Sequence, residues 1–171
     1  MKKQVAFFDM DRTIVAPLFR TDSGGGSYVL GFRKPEWIKF CNERQESAYE
    51  DCMTVHKIIN IASALHIEGW DVKILTVTMS PGEKVAKLRW FDYNNHNSFT
   101  NEPLFSEIIF VGSPEEKIKY IEDYVKSNEM NPKDCILIED DIGTVWGCQH
   151  LGISAFHLSH VLATENWRMT T

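Results

Sequence analysis

The stretch Val5-Ala6-Phe7-Phe8-Asp9-Met10-Asp11-Arg12-Thr13 runs four apolar residues straight into two carboxylates, with a hydroxyl two residues further on. A short continuous apolar run reads as a strand buried on both faces, as in a parallel sheet. Along a strand, Asp9 and Asp11 would share one side and Met10 would take the other. Two carboxylates held together repel unless a proton or a cation stands between them. A strand's carboxyl end is also where open α/β sheets place ligands. The simplest occupant is a hard divalent cation, Mg²⁺, which takes oxygen ligands and keeps several waters. Asp and Thr are equally ordinary turn and cap residues, so the motif needs matching parts elsewhere in the chain.

Those parts recur in order. Helical spacing at Val55, Ile58, Ile59, Ala62 and Leu65 gives a core-facing helix, capped by Thr54 and ended by Gly69. A second strand, 72–75, ends in Thr76-Val77-Thr78, and Ser80-Pro81-Gly82-Glu83 opens another helix. Residues 93–103 are polar and read as loop, and 107–112 as a third strand. Ser113-Pro114-Glu115-Glu116 is a capping box that places Lys117 one turn into its helix. A fourth strand, 135–138, runs into Glu139-Asp140-Asp141, followed by a helix over 143–150 and a fifth strand over 153–156. Strands alternating with helices predict an α/β fold with a mainly parallel five-stranded sheet. The strand ends carrying Asp9, Asp11, Thr76, Glu139 and Asp140 then converge on one edge. No strand end in this chain offers a P-loop.

At 171 residues the chain predicts one domain with a sizeable core. Its net charge of −6 argues against wide contact with a nucleic-acid backbone, but not against a small anion held by local cations. Arg20, Arg33 and Lys34, which flank the glycine run Gly24-Gly25-Gly26, are candidates for such contacts or for plain surface solvation. The four cysteines form no C-x-x-C pair, and no stretch approaches a membrane span. A reduced, cytoplasmic protein is the expectation. His56 and His66 have no partners at ligand spacing, and His150, His157 and His160 show no metal spacing.

With these residues in hand, the chain resembles the haloacid dehalogenase-like phosphatases over nearly its whole length. Asp9-Met10-Asp11-Arg12-Thr13 is similar to their first motif, Ile74-Leu75-Thr76 to the second, Lys117 to the third and Ile138-Glu139-Asp140-Asp141 to the fourth. Arg12 departs from the glycine usual at that position. The resemblance implies a three-layer Rossmann-like fold with a small insertion after the first strand, at about 17–52. It implies a Mg²⁺-dependent phosphomonoester hydrolase with Asp9 as nucleophile and Asp11 as general acid and base. Asp9, the backbone carbonyl of Asp11, and Asp140 would hold Mg²⁺, with Glu139 in support and Asp141 as the alternative register. Thr76 and Lys117 would bind phosphoryl oxygens, helped by Arg12 and Thr13. Lys84 and Lys87 are rivals for the lysine role but precede the third strand. A receiver domain would need its acceptor Asp after the third strand, where Val111-Gly112-Ser113 stands, and a Toprim domain places a Glu before its D-x-D. The helix bearing Lys87-Leu88-Arg89-Trp90-Phe91 resembles that of 5'(3')-deoxyribonucleotidase-like enzymes, and the segment 143–158 resembles polynucleotide phosphatase domains. The expected substrate is therefore a nucleoside monophosphate. A polynucleotide 3'-end phosphatase is the alternative, and a catalytically silent binding or regulatory module the alternative of another class.

Overall fold

The structure is a computed structural model that describes residues 3–16, 19–20, 28–29, 34–96 and 102–165. The glycine run, Arg33 and part of the polar stretch after residue 96 lie outside these residues. In chain order the elements begin with β1 (Val5–Phe8), β2 (Val15–Ala16), β3 (Phe19–Arg20), β4 (Tyr28–Val29) and α1 (Lys34–Arg44). A 3-10 turn (Gln45–Tyr49), β5 (Met53–Thr54), α2 (His56–Ile67), β6 (Asp71–Val77) and α3 (Pro81–Asn94) follow. The chain closes with β7 (Ile108–Val111), α4 (Pro114–Ser127), β8 (Cys135–Glu139), α5 (Ile142–His150), β9 (Ser154–His157) and α6 (Leu158–Ala163).

Five strands pair in the order β7-β6-β1-β8-β9, all parallel, with β1 in the middle. The chain first builds outward from β1 through β6 and β7, then returns to its other side for β8 and β9. This places the topological switch, and with it the usual ligand crevice, at the carboxyl end of β1. All four β1 residues are wholly buried, because helices cover both faces of the sheet. Ala6 and Phe8 join Ile136 and Ile138 in one core under α2, α3 and α6. Val5 and Phe7 join Cys135 and Leu137 in a second core under α4 and α5. The alternation of a two-residue period thus sorts one short strand between two cores, giving the three-layer α/β architecture expected from the sequence.

The two serine-proline helix starts form as their residues dictate. Ser80 Oγ accepts from the Glu83 N–H at 3.2 Å, and Ser113 Oγ from the Glu116 N–H at 3.2 Å. Each glutamate then reaches back, Glu83 to the Met79 N–H at 2.8 Å and Glu116 to the Gly112 N–H at 2.7 Å. Two boundaries differ from the sequence reading. Thr54 does not cap α2: it pairs with Val15 in β5, and Val55 takes the cap position with no side-chain bond. The polar stretch from residue 93 begins inside α3, which continues to Asn94. The helix α6 carries no signal that the sequence reading used.

Between β1 and β6 the chain makes an excursion closed at its base, where β2 and β5 pair antiparallel with Ala16 opposite Met53. Within it, α1 packs against the first turn of α3. A Cβ on Gly82 would lie 2.4 Å from the Cys41 carbonyl oxygen and 2.7 Å from Asn42 Cα. The Gly82 N–H also donates to Asn42 Oδ1 at 3.1 Å. These obstacles are backbone, which cannot rotate out of the way. Gly82→Ala should therefore cost about 2–3 kcal/mol in denaturant unfolding; a neutral result would mean that the α1–α3 approach is looser than described.

Candidate active site

The strand β1 ends at Phe8, three residues short of Asp11, so the two carboxylates do not share one strand face. Asp9 still donates its N–H to the Ile138 carbonyl at 2.9 Å, so its backbone stays on the sheet. The chain then turns sharply, and the Met10 carbonyl accepts from the N–H groups of Thr13, Ile14 and Val15. Asp11 therefore stands in a turn, and the two carboxylates face different partners. Arg12 adopts the left-handed conformation at φ 59°, which favours glycine and costs an ordinary residue about 1 kcal/mol.

Asp9 is buried at the switch point. Lys117, also buried, donates to Asp9 Oδ1 at 2.6 Å and to Glu139 Oε2 at 2.6 Å. The other Glu139 oxygen accepts from the Asp140 and Asp141 N–H groups at 3.1 and 3.2 Å. Oxygens of Asp9, Glu139 and Asp140 lie within 4.8 Å of one another. Three carboxylates against one lysine leave two negative charges in a cluster of hard oxygen donors, which fits a divalent cation such as Mg²⁺. Glu139 already spends both oxygens on Lys117 and backbone, so Asp9 and Asp140 keep more capacity for a metal. The Asp140 carbonyl is held by His157 Nε2 at 2.8 Å, a positioning contact that the sequence reading did not anticipate. Asp141 is committed elsewhere: its Oδ2 accepts from the Thr144 N–H and hydroxyl, both at 2.7 Å, as the cap of α5.

Asp11 has its own lysine. Lys87, with no exposed surface, lies 2.7 Å from Asp11 Oδ2, 2.9 Å from Glu83 Oε1 and 2.9 Å from Thr76 Oγ1. Tyr49 donates to Asp11 Oδ1 at 2.5 Å. Lys87 thus serves Asp11 rather than Asp9, although it precedes the third strand, and nothing in the sequence singles out Tyr49. A lysine four residues after a capping glutamate was a usable signal; Tyr49, 38 residues from Asp11, gave none. Lys84 lies instead on the exposed side of α3, with its ammonium 5.2 Å from the centre of the Phe110 ring.

Thr76 is buried at the end of β6, beside Lys87. Thr13 is wholly buried, and its Oγ1 has no hydrogen-bond partner among the described residues. Arg12 is largely exposed, with one guanidinium nitrogen 3.9 Å from Asp140 Oδ2. Lys34 is exposed at the start of α1.

Burial pushes the Asp9 carboxyl up to about 7, since Lys117 only partly offsets desolvation and the nearby Glu139 and Asp11. Burial and Asp9 also raise Asp140, and burial raises Glu139 against the pull of Lys117. For Lys117, burial favours the neutral form, but Asp9 and Glu139 outweigh it and raise the ammonium overall. Burial likewise opposes the charge on Lys87, and Asp11 and Glu83 outweigh it.

Comparison with known proteins gives the fold. No family model matches the chain, and no curated protein sequence does. A haloacid dehalogenase (HAD) family enzyme from Bacteroides thetaiotaomicron superposes with a TM-score of 0.50 at 12% identity, over 92% of this chain and 94% of that one. An Asp-to-Ala variant of that enzyme, crystallised with magnesium and inorganic phosphate, gives a TM-score of 0.50 at 12% identity, over 91% of this chain and 93% of that one. The N-terminal part of a Bacteroides fragilis protein, containing a phosphatase domain complexed with Mg, superposes with a TM-score of 0.51 at 10% identity, over 91% of this chain and 35% of that one. The chain has the haloacid dehalogenase-like fold. All four cysteines are free thiols, and no helix among the described residues is long and apolar enough to cross a membrane.

The raised Asp9 carboxyl has a consequence for stability. Its protonated form is favoured in the fold, so its contribution is fully present below the ordinary value near 3.8 and is lost as pH rises through about 7. With chelator at pH 8, Asp9→Asn should be more stable than the wild type by roughly 2 kcal/mol, because Lys117 keeps Glu139 and one uncompensated charge is gone. At pH 4 the gap should close, and Mg²⁺ at pH 8 should stabilise the wild type far more than the variant. Thermal unfolding over this range checks it; an Asn variant weaker than the wild type at pH 8 in chelator would refute it.

Proposed function

We propose that this protein is a Mg²⁺-dependent phosphomonoester hydrolase working through a phosphoryl group carried on Asp9. The observation that carries the reading is Asp9 at the switch point, 2.6 Å from Lys117 and clustered with Asp140 and Glu139, with the charge of Asp11 acting on it and Thr76 joined to Asp11 through Lys87. A free Asp9 oxygen attacks phosphorus, the bond to the leaving oxygen breaks, and Asp11 supplies the proton that oxygen needs. In the second half, water attacks the aspartyl-phosphate, Asp11 takes its proton, and inorganic phosphate leaves with the Asp9 carboxylate regenerated. Lys117 offsets the charge of Asp9 and, with the Thr76 hydroxyl, faces the phosphoryl oxygens. Arg12, at the mouth of the site, adds a cation for an approaching dianion, and Thr13 supports the turn beneath it. When bound, Mg²⁺ would be held by Asp9, Asp140 and the Asp11 carbonyl, with Glu139 behind them, and would neutralise phosphoryl charge.

The preferred substrate is a nucleoside monophosphate. The resemblance of the helix carrying Lys87 to Phe91 and the net charge of −6 support a small anion over a polynucleotide end. Segment 17–52 would act as a reduced cap, within one domain spanning the chain. Phosphate release from nucleoside monophosphates, sugar phosphates and 3'- and 5'-phosphorylated oligonucleotides, with Mg²⁺ and with chelator, tests this. Chelator-sensitive release from mononucleotides is expected, and Asp9→Asn should lower it by about 10³-fold or more while the protein stays folded. Release from oligonucleotide 3' ends alone would move the assignment to end repair. Silence across the panel from folded protein would favour a binding module, and a fully active Asp9→Asn would sink the mechanism.

A further inference from the structure

The site holds two buried lysines, and the proposed reaction uses one. We propose that Lys87 and Tyr49 are a positioning pair for the leaving-group step, fixing Asp11 from both of its oxygens while Lys87 aims the Thr76 hydroxyl. The inference rests on the phosphatase reading and adds to it the residues that place the proton donor.

Lys87 is fixed from below before it reaches the site. Glu83 Oε1 lies 2.9 Å from its Nζ, and the other Glu83 oxygen is tied to the Met79 N–H at 2.8 Å. The Val77 carbonyl accepts from the same ammonium at 2.5 Å. The remaining contacts, to Asp11 Oδ2 and Thr76 Oγ1, point toward the strand ends. Asp11 sits in a turn rather than on a strand, so its backbone does not fix its carboxylate. Its side-chain partners do, from two separate elements: α3 through Lys87 and the 3-10 turn through Tyr49. At Thr76, the ammonium donates into an oxygen lone pair, so the hydroxyl proton must point elsewhere. The Val77 carbonyl, 3.4 Å away, is too distant to hold that proton firmly. A phosphoryl oxygen is the stronger acceptor, and Thr76 is left as a donor to it.

A purely structural ion-pair network is the competing account, since buried charges with partners are common and an apolar replacement often packs as well. Leaving groups separate the two. An aryl ester such as 4-nitrophenyl phosphate departs without a proton, whereas an alkyl phosphomonoester needs one. A structural defect would slow both alike.

The test uses the full chain with Mg²⁺ and compares first-turnover release of 4-nitrophenol with that of the alcohol from the best alkyl monoester in the panel. Two variants are made, Tyr49→Phe and the charge-neutral double variant Lys87→Met with Glu83→Gln, each shown to be folded by thermal unfolding. The double variant should lose about 100-fold more on the alkyl ester than on the aryl ester, the range a misplaced general acid gives, while the loss common to both esters reports the Thr76 contact. Tyr49→Phe should show the same selectivity at roughly tenfold. Equal losses on the two esters in both variants, or no loss in either, would overturn the proposal and leave the phosphatase reading standing. A wild-type protein that cleaves neither ester would overturn that reading first, and this inference with it.

Discussion

Electrostatic repulsion at the carboxyl end of β1 is the constraint on which the rest of the structure depends. Asp9, Glu139 and Asp140 are brought within 4.8 Å of one another, mostly out of water, with Lys117 as the cation between two of them. Such an arrangement is costly unless something outside the chain repays it. The sheet supplies the rigidity that keeps the carboxylates from relaxing apart. Phe8 and Ile138, side by side in register one residue before Asp9 and Glu139, are both wholly buried. Two cores clamp these strands from opposite faces, so the cost of crowding charge is met by packing rather than by local flexibility.

The second half of the site repeats the device in another orientation. Lys117 bridges Asp9 and Glu139, and Lys87 bridges Asp11 and Glu83. Each lysine arises from a helix that opens with a serine cap, a proline and a returning glutamate. The first pairing centres on the group that would bond to phosphorus, and the second on the group that would handle the proton. Keeping the two aspartates on separate lysines lets each be set without compromising the other.

Much of the fold was legible because it is encoded by neighbours in sequence. The apolar run before Asp9 and the Ser-Pro starts at 80 and 113 act over fewer than ten residues, and the alternation of strands and helices is written in the periodicity of each element in turn. Lys117 was readable because its offset from Ser113 is a single helical turn. What was hidden depends on encounters between distant segments. Tyr49 meets Asp11 only after α1 packs against α3 through Gly82, and His157 meets the Asp140 carbonyl only because β9 lies beside β8. Lys117, not Lys87, stands beside Asp9, but the contact of Lys87 with Asp11 is hidden in the sequence because a long side chain on the covering helix reaches a strand end distant along the chain. Thr54 shows the converse error: a residue suited to a helix cap was claimed by an antiparallel pair instead.

The pairing of Ala16 with Met53 brings the two ends of an intervening stretch together at a fixed point on the rim. Chain length beyond such a closed gate is thermodynamically inexpensive to change, about 0.6 kcal/mol for each doubling. Insertions there can be gained, lost or traded without moving the sheet. In this protein the same stretch sends Tyr49 back to Asp11. A graft in this stretch would therefore also alter the hold on Asp11, so the segment could not be exchanged without disturbing that carboxylate.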